Sequence, residues 1–196
     1  MLLLREHAVA DGVMTGAFFE TDFASFLAWR DWGFTDRSVR NVFPQAALRA
    51  ADGAFLLGIM GEHTANAGKM YFPSGTPDLA DIDGDSVDVG AGLKRELREE
   101  TGLASEDLVI EPGWTAVFDG PRIALLRMAR SREPADALRR RILGNFASVA
   151  DPELADIRVV RSPADYDPRM TEYVTAYLDH VFGREAADMK LSVGPR

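Results

Sequence analysis

The segment from Val89 to Thr101 has the clearest ends in the sequence, and it limits which folds the chain can adopt. Asp88 precedes the segment and is a residue type that caps helix N-termini, while Gly102 follows it and is a residue type that ends helices. Inside the segment, Val89, Leu93 and Leu97 recur at helical spacing. The pattern predicts a helix over 89–101 with one apolar face, and that face must be buried against another layer.

Strand patterns lie on both sides of this helix. Before it, two apolar runs within 46–60 flank Ala51-Asp52-Gly53, and an Asp-Gly pair between such runs predicts a hairpin. A further short strand is predicted at 70–72. After the helix, 108–118 and 122–128 have the composition of two more strands. A sheet covered by helices follows, so the predicted fold class is an α/β/α sandwich.

The two ends of the chain are predicted from weaker patterns. Residues 1–45 are expected to form a helical and aromatic N-terminal extension, with a short helix from about Thr21 to Gly33. In the later part of the chain, helices are predicted at 136–146 and 170–182, with a strand at 157–160 between them. A loose C-terminal tail is predicted at 184–196. With 196 residues and 46% hydrophobic content, the chain is predicted to be one domain over 1–196.

Composition excludes several classes of function. The formal net charge of −9 argues against a broad electrostatic grip on nucleic-acid phosphates. The absence of cysteine excludes disulfides, thiolate metal sites and a cysteine nucleophile, and the three histidines lack zinc-site spacing. No apolar stretch is long enough for a signal peptide or a membrane span. We therefore expect a cytoplasmic protein without nucleic-acid or membrane partners, and a homodimer stays open.

Three glutamates share one side of the predicted helix. With successive residues roughly 100° apart, Glu96, Glu99 and Glu100 fall in one sector. One interpretation is a solvated helix with an Arg95–Glu99 ion pair. Two features favour a cation site instead: Glu100 lies at the apolar edge, where an unpaired charge is costly, and Glu96 and Glu100 form a like-charge pair. Carboxylate oxygens are the ligands that Mg²⁺ or Mn²⁺ prefers.

The run RELREETGL, from Arg95 to Leu103, resembles the second half of the Nudix box. Upstream, the run MYFPSG, from Met70 to Gly75, is similar to the strand and glycine-bearing loop that lead into that box. The resemblance covers roughly residues 46–130. It implies a Nudix-type α/β/α sandwich with a mixed sheet, and a magnesium-dependent hydrolase that cleaves a pyrophosphate bond.

The first half of the box departs from the family pattern. The upstream glutamate of the family should lie eight residues before Arg95, where this sequence has Val87. The box glycine should stand fourteen residues before Arg95, whereas Gly75 stands twenty before it, so the loop carries about six extra residues. Asp85 or Asp88 could replace the missing carboxylate, and a turn residue and an N-cap are their alternative roles.

The resemblance implies a role for each acidic residue of the helix. Glu96, Glu99 and Glu100 would bind the cations, and Asp88 is a further candidate ligand. Arg95 would orient a glutamate, so Arg95 and Glu99 are also candidate catalytic residues. The implied reaction is attack of a metal-activated water on one phosphorus of a diphosphate.

Other candidates lie outside the helix. Glu153 and Glu111 are candidates for the general base, and simple surface exposure is the alternative explanation for each. Gly75 and Lys69 are candidates for substrate binding, although the long stem of Lys69 beside a strand is equally well explained by solvation.

The predicted function is Mg²⁺-dependent hydrolysis of a pyrophosphate bond in a nucleoside diphosphate linked to another group, with a nucleotide sugar as the specific guess. Coenzyme A, dinucleotides and oxidised nucleotides stay open as substrates. A second hypothesis is a catalytically weak Nudix-fold protein that binds or senses a nucleotide, because the upstream glutamate is missing. A third is an unrelated α/β protein in which the acidic helix is structural.

Overall fold

The computed structural model describes residues 1–192. The strands are β1 Leu2–Ala10, β2 Val13–Glu20, β3 Asn41–Arg49, β4 Phe55–Met60, β5 Met70–Tyr71, β6 Ile82–Asp83, β7 Ser86–Val87, β8 Leu108–Ile110, β9 Thr115–Asp119, β10 Arg122–Ser131 and β11 Leu154–Val160. The helices are α1 Phe23–Asp31, α2 Val89–Thr101, α3 Ala135–Phe146 and α4 Glu172–Ser192.

The central sheet has seven strands and a mixed direction. Its order is β11-β4-β3-β10-β8, with β5 paired to β4 and β9 paired to β10. Strands β3 and β10 are parallel, with Val42 opposite Ile123, whereas the other pairings are antiparallel. The mixed sheet expected from the resemblance is confirmed.

Helices cover both faces of this sheet. Val42 of β3 packs in a buried cluster with Ile123 of β10, and Val89 of α2 lies against that cluster. The next residue, Phe43, stacks edge to face on Tyr173 of α4, with ring centroids 5.3 Å apart. Because successive strand residues point to opposite faces, α2 and α4 lie on opposite sides of the sheet. The predicted α/β/α sandwich is confirmed.

The hairpin predicted around Asp52 and Gly53 joins β3 to β4. The Ala50 amide donates to the Ala54 carbonyl at 2.8 Å, and Gly53 has a positive φ of 86°. A left-handed backbone there suits glycine, which explains the local signal in the sequence. Strand β3 begins at Asn41, five residues earlier than the apolar run at Ala46 indicated.

The prediction of a helical N-terminal extension is wrong for the first twenty residues. Strands β1 and β2 form a separate antiparallel hairpin there. Asp11 and Gly12 at its turn have φ values of 51° and 76°, the left-handed conformation that two-residue hairpin turns require. The helix that follows was predicted correctly: Asp22 caps α1 by accepting a hydrogen bond from the Ser25 amide at 2.8 Å.

The C-terminal helix is longer than the sequence indicated. It runs from Glu172 to Ser192, so residues 184–192 are helical and not part of a loose tail. The rest of that predicted tail, 193–196, lies outside the described residues. Among the described helices, none combines the length and apolar character needed to span a bilayer.

Candidate active site

Helix α2 carries the acidic residues, and its ends are fixed by local chemistry. Asp88 Oδ1 accepts hydrogen bonds from the amides of Gly90 and Ala91, both at 2.9 Å. Gly102 ends the helix in a left-handed conformation with φ 72°. Leu93 and Leu97 are fully buried, so the apolar face fixes the rotation of the helix on the sheet. That rotation decides which glutamates are buried.

Glu100 lies on the buried side of α2, with 7% of its surface exposed. Its Oε2 accepts a hydrogen bond from the Ser74 amide at 3.0 Å. Burial raises the pKa of Glu100 well above its ordinary value; the Ser74 amide opposes this rise, and the charges of Glu96, Glu153 and Glu99 add to it. The expected carboxylate at the apolar edge of the helix is therefore present, and among the described side chains of residues 1–185 no cationic group pairs with it.

Glu96 is half-buried one turn earlier on α2. Burial raises its pKa to about 7, Arg95 opposes that rise, and the negative charges of Glu99 and Glu153 add to it. A Cβ built at Gly75 would overlap the Glu96 carboxyl group. Only glycine lets the loop backbone approach Glu96 this closely. The structure therefore places Gly75 directly against the acidic side of α2.

Arg95 contacts several acids at once. Its Nη1 lies 2.7 Å from Glu96 Oε1 and 3.4 Å from Glu99 Oε2. That Arg95 orients one of these glutamates for the reaction stays a prediction. Its Nη2 lies 3.1 Å from Oδ2 of Asp81, a residue that the sequence analysis did not single out. Arg95 thus joins the exposed acidic side of the helix to a buried aspartate.

Asp81 is the buried partner that the sequence analysis missed. It ends a 3-10 helix over Leu79–Asp81, is 4% exposed, and accepts a hydrogen bond from the Asp78 amide at 2.9 Å. A Cβ at Gly92 would lie 3.0 Å from Asp81 Oδ1, so the glycine in α2 leaves room for this carboxylate. The pair Asp78 and Asp81, three residues apart, was the available signal, because acids at that spacing form a capping box.

Neither aspartate proposed as the replacement carboxylate joins the acidic group. Asp88 caps α2, and it precedes Glu96 by eight residues, or roughly 12 Å along the helix. The structure thus shows Asp88 in the N-cap role that was its alternative, and its assignment as a metal ligand stays a prediction. Asp85 lies in the turn between β6 and β7 and is exposed. The buried acid beside Arg95 is Asp81.

The two candidates for the general base lie in different places. Glu153 precedes β11, is exposed, and is near enough that its charge raises the pKa of Glu96 and of Glu100. Glu111 pairs instead with Arg130 at 2.7 Å. Lys69 is exposed, and its ammonium group makes no ion pair with any described residue. The structure thus favours Glu153 over Glu111 as the residue near the acidic group.

The acidic residues do not form a finished metal site as they stand. Among the side chains that the structure describes, residues 1–185, no three histidine, aspartate or glutamate groups are arranged to hold a metal ion. Arg95 Nη1 lies between Glu96 and Glu99, at 2.7 Å and 3.4 Å. The assignment of Glu96, Glu99 and Glu100 as metal ligands therefore stays a prediction.

Comparison with known proteins identifies the fold. No family model and no curated protein matches the sequence. Among solved structures, the chain is similar to RenU, a Nudix hydrolase from M. smegmatis, with 20% identity, a TM-score of 0.51, and coverage of 76% of this chain and 87% of that one. It is also similar to a bifunctional NMN adenylyltransferase/ADP ribose pyrophosphatase from Francisella tularensis, with 16% identity and a TM-score of 0.50.

The second match spans 82% of this chain and 45% of the Francisella protein. Both matches have low sequence identity, so they establish architecture and not activity. The chain has the Nudix fold, as the run RELREETGL indicated.

Proposed function

We propose that this protein hydrolyses a pyrophosphate bond in a nucleoside diphosphate linked to another group, with Mg²⁺ or Mn²⁺ as cofactor. One observation carries the proposal. Glu96 and Glu100 are held in a buried or half-buried position on a Nudix-type helix, and burial raises the pKa of both. Perturbed carboxyl groups of this kind concentrate at functional sites.

The side chains at this site suit a divalent cation. All the donors are carboxylate oxygens, which Mg²⁺ and Mn²⁺ prefer, and Glu96, Glu99 and Glu100 would hold the ion. The missing Cβ at Gly75 lets the loop backbone lie directly against the Glu96 carboxyl group. When bound, such an ion lowers the pKa of a coordinated water and neutralises charge on a diphosphate.

The protein groups around the acids have separate tasks in this proposal. The Ser74 amide holds Glu100 in one orientation through its 3.0 Å hydrogen bond. Arg95 keeps Glu96 and Glu99 at fixed positions, and Asp81 fixes Arg95 from the buried side. Glu153 is the candidate general base, because it lies near the acidic group and is exposed to water. Lys69 and Gly75 are the candidate substrate contacts.

A nucleotide sugar remains the specific substrate that we propose to test first. The protein is also expected to act in the cytoplasm, and whether it forms a homodimer is decided by measuring its mass in solution.

A second candidate function is nucleotide binding without efficient turnover. Two observations favour it: the sequence has Val87 where the family has a glutamate, and no three carboxylates among the described side chains are arranged to hold an ion. In that case the same residues would bind a nucleotide and leave the diphosphate intact.

An activity screen separates the two functions. The protein is incubated with nucleotide sugars, dinucleotides, coenzyme A and oxidised nucleotides in Mg²⁺ or Mn²⁺, and the same screen is run on Glu99→Gln and Glu100→Gln. Glu106→Gln serves as the control, because Glu106 is exposed and lies outside α2. Hydrolysis that both helix variants lose and the control keeps supports the enzyme. Nucleotide binding without hydrolysis supports the second function, and full activity in both helix variants refutes the metal assignment.

A further inference from the structure

A cavity of about 950 Å³ lies between the β1–β2 hairpin, the β6–β7 turn and β9. Trp114, Ala116 and Phe118 line it from the β9 side. These residues alternate along the chain, so their side chains share one face of the strand, while Val117 packs into the main core from the other face. The volume falls within the range of roughly 300–1,000 Å³ that is typical of small-molecule sites.

The cavity begins close to the acidic side of α2. Leu2 lines the cavity, and its amide donates to the Pro77 carbonyl at 2.6 Å. Pro77 is two residues after Gly75, which lies against Glu96, and two residues span at most about 7 Å. Val89 also lines the cavity and precedes Glu96 by seven residues, or roughly 10 Å along α2. A ligand with its diphosphate at the glutamates would extend its next group into this space.

The charged residues that line the cavity disfavour a phosphorylated group. Among the residues that line it there is no lysine, arginine or histidine, whereas Glu20 and Asp85 are acidic. A second phosphate placed there would face these two carboxylates, with no cationic side chain among the lining residues to pair with it. A neutral group with N–H donors meets acceptors instead, because ionised carboxylates only accept hydrogen bonds.

The aromatic lining favours a flat ring. Arg127 lies over the ring of Trp114, 3.8 Å from its centroid, and fixes the indole by a cation–π contact. Trp114 also lines the cavity, and Phe118, another lining residue, is 53% exposed. Leu79, Val13 and Val9 are also more than half exposed around the opening. Large exposed apolar groups clustered at an opening mark a binding surface.

We infer that this cavity binds the nucleobase of a nucleoside diphosphate derivative, with the base against Trp114. The inference deepens the proposed function and rests on it for the diphosphate, but base binding itself requires neither a metal nor turnover. It makes the hairpin at residues 2–20 and β9 the parts of the chain that determine specificity, and it excludes a second phosphorylated group from the cavity.

Binding is tested without metal, by fluorescence. In a Trp29→Phe/Trp32→Phe background, Trp114 is the only tryptophan, because the sequence contains three. Adenosine and uridine are titrated in EDTA, and ribose 5-phosphate is titrated as the probe that lacks a base. We expect a nucleoside to change the fluorescence and ribose 5-phosphate to leave it unchanged. No response to either nucleoside at about 10 mM, where even a Kd of 1 mM is detected, overturns the inference.

Two matched variants locate the effect. Ala116→Phe fills the cavity from an exposed position, and we expect it to weaken nucleoside binding at least tenfold. Ala8→Phe adds the same group at an exposed position on β1 that does not line the cavity, and binding should stay unchanged. Phe118→Ala, which removes a half-exposed lining residue, should also weaken binding and guards against misfolding of the first variant. Equal effects of Ala116→Phe and Ala8→Phe overturn the inference.

The outcomes distinguish this inference from the proposed function. Nucleoside binding without hydrolysis refutes the hydrolase and leaves the cavity assignment standing. Hydrolysis of a nucleotide with the same KM in wild type and Ala116→Phe refutes the cavity assignment and leaves the hydrolase standing. A dimer that Ala116→Phe converts to a monomer, with no nucleoside response, means that a second copy of the chain occupies the cavity, and this also overturns the inference.

Discussion

Asp81 lies against helix α2, and Glu100 is part of that helix. Both acids are nearly buried, with 4% and 7% of their surfaces exposed, yet their surroundings differ. Asp81 has a guanidinium partner, with Arg95 Nη2 at 3.1 Å, and a backbone donor at 2.9 Å. Glu100 has one backbone donor, the Ser74 amide at 3.0 Å, and its charged neighbours are other glutamates. The fold supplies a counter-charge to the first acid and not to the second.

This difference is the one that we expect between an acid with a structural role and an acid with a functional role. Burying a charge without a partner is costly, so a folded protein normally pairs such a group, as Arg95 pairs Asp81. The same helix leaves Glu100 unpaired beside Glu96, whose pKa burial raises to about 7. An external cation would remove this cost. The lower folding stability that results from burying Glu100 without a partner is consistent with a binding role.

Loss of the unpaired acid should have the largest effect on activity. We expect Glu100→Gln to lower kcat/KM at least about a hundredfold at saturating Mg²⁺, because removing a metal ligand forfeits several kcal/mol of charge stabilisation. The glutamine carbonyl can still accept from the Ser74 amide, so the fold should be kept. Circular dichroism checks the fold and steady-state kinetics the rate. A Glu100→Gln variant as active as Glu106→Gln would contradict the comparison.

Loss of the partner of the paired acid should instead lower stability. Arg95→Ala leaves Asp81 buried without its cation, and we expect a loss of about 2 kcal/mol, or roughly 4–8 °C in Tm. This is below the 3–5 kcal/mol typical of a fully buried pair, because the Arg95 side chain is 31% exposed. Arg98→Ala, at an exposed position on the same helix, is the control and should change Tm little. Thermal melts that shift equally for both variants would show that Asp81 does not depend on Arg95.

The helix was predictable from the sequence because its limits depend on local chemistry. The segment 89–101 agrees with the structure at both ends, since Asp88 caps its own helix and Gly102 supplies a left-handed residue. The burial of Glu100 followed from helical geometry and the positions of Leu93 and Leu97. These inferences required only neighbours within one or two helical turns.

The partner of Arg95 could not be predicted in the same way. Asp81 reaches Arg95 only because the enlarged loop folds into a 3-10 helix that lies against Gly92. Nothing in the sequence around Asp81 specifies that non-local contact. The β1–β2 hairpin is a different case. Its Asp11-Gly12 turn has the same residue pair as the turn at Asp52 and Gly53. The hairpin was not predicted because the strand pattern on either side of this turn is weaker.

The unpaired acid should also make stability depend on pH when no metal is present. The folded-state pKa of Glu100 is raised, so ionisation of this carboxyl group opposes folding. The free-energy cost of that ionisation is absent when the pH is below the ordinary glutamate pKa of 4.5, and it grows as the pH rises above 4.5. In EDTA, Tm of wild type should therefore fall between pH 5 and 8 relative to Glu100→Gln, with a difference of roughly 4 °C at pH 8. Melting curves at several pH values measure it, and parallel curves for the two proteins would contradict the predicted cost.

The smallest expected effect comes from the acid at the start of α2. Asp88→Ala removes the hydrogen bonds to the amides of Gly90 and Ala91, which should cost about 1 kcal/mol, or roughly 2–4 °C in Tm. Asp88→Asn keeps a capping oxygen and should cost less. If Asp88 is only a cap, kcat/KM of both variants stays near that of wild type below the melting temperature. A large loss of activity in Asp88→Asn with an unchanged Tm would instead mean that the carboxylate charge matters to the reaction. Asp88 would then have a functional role, as proposed for Glu100, and not a structural role like that of Asp81.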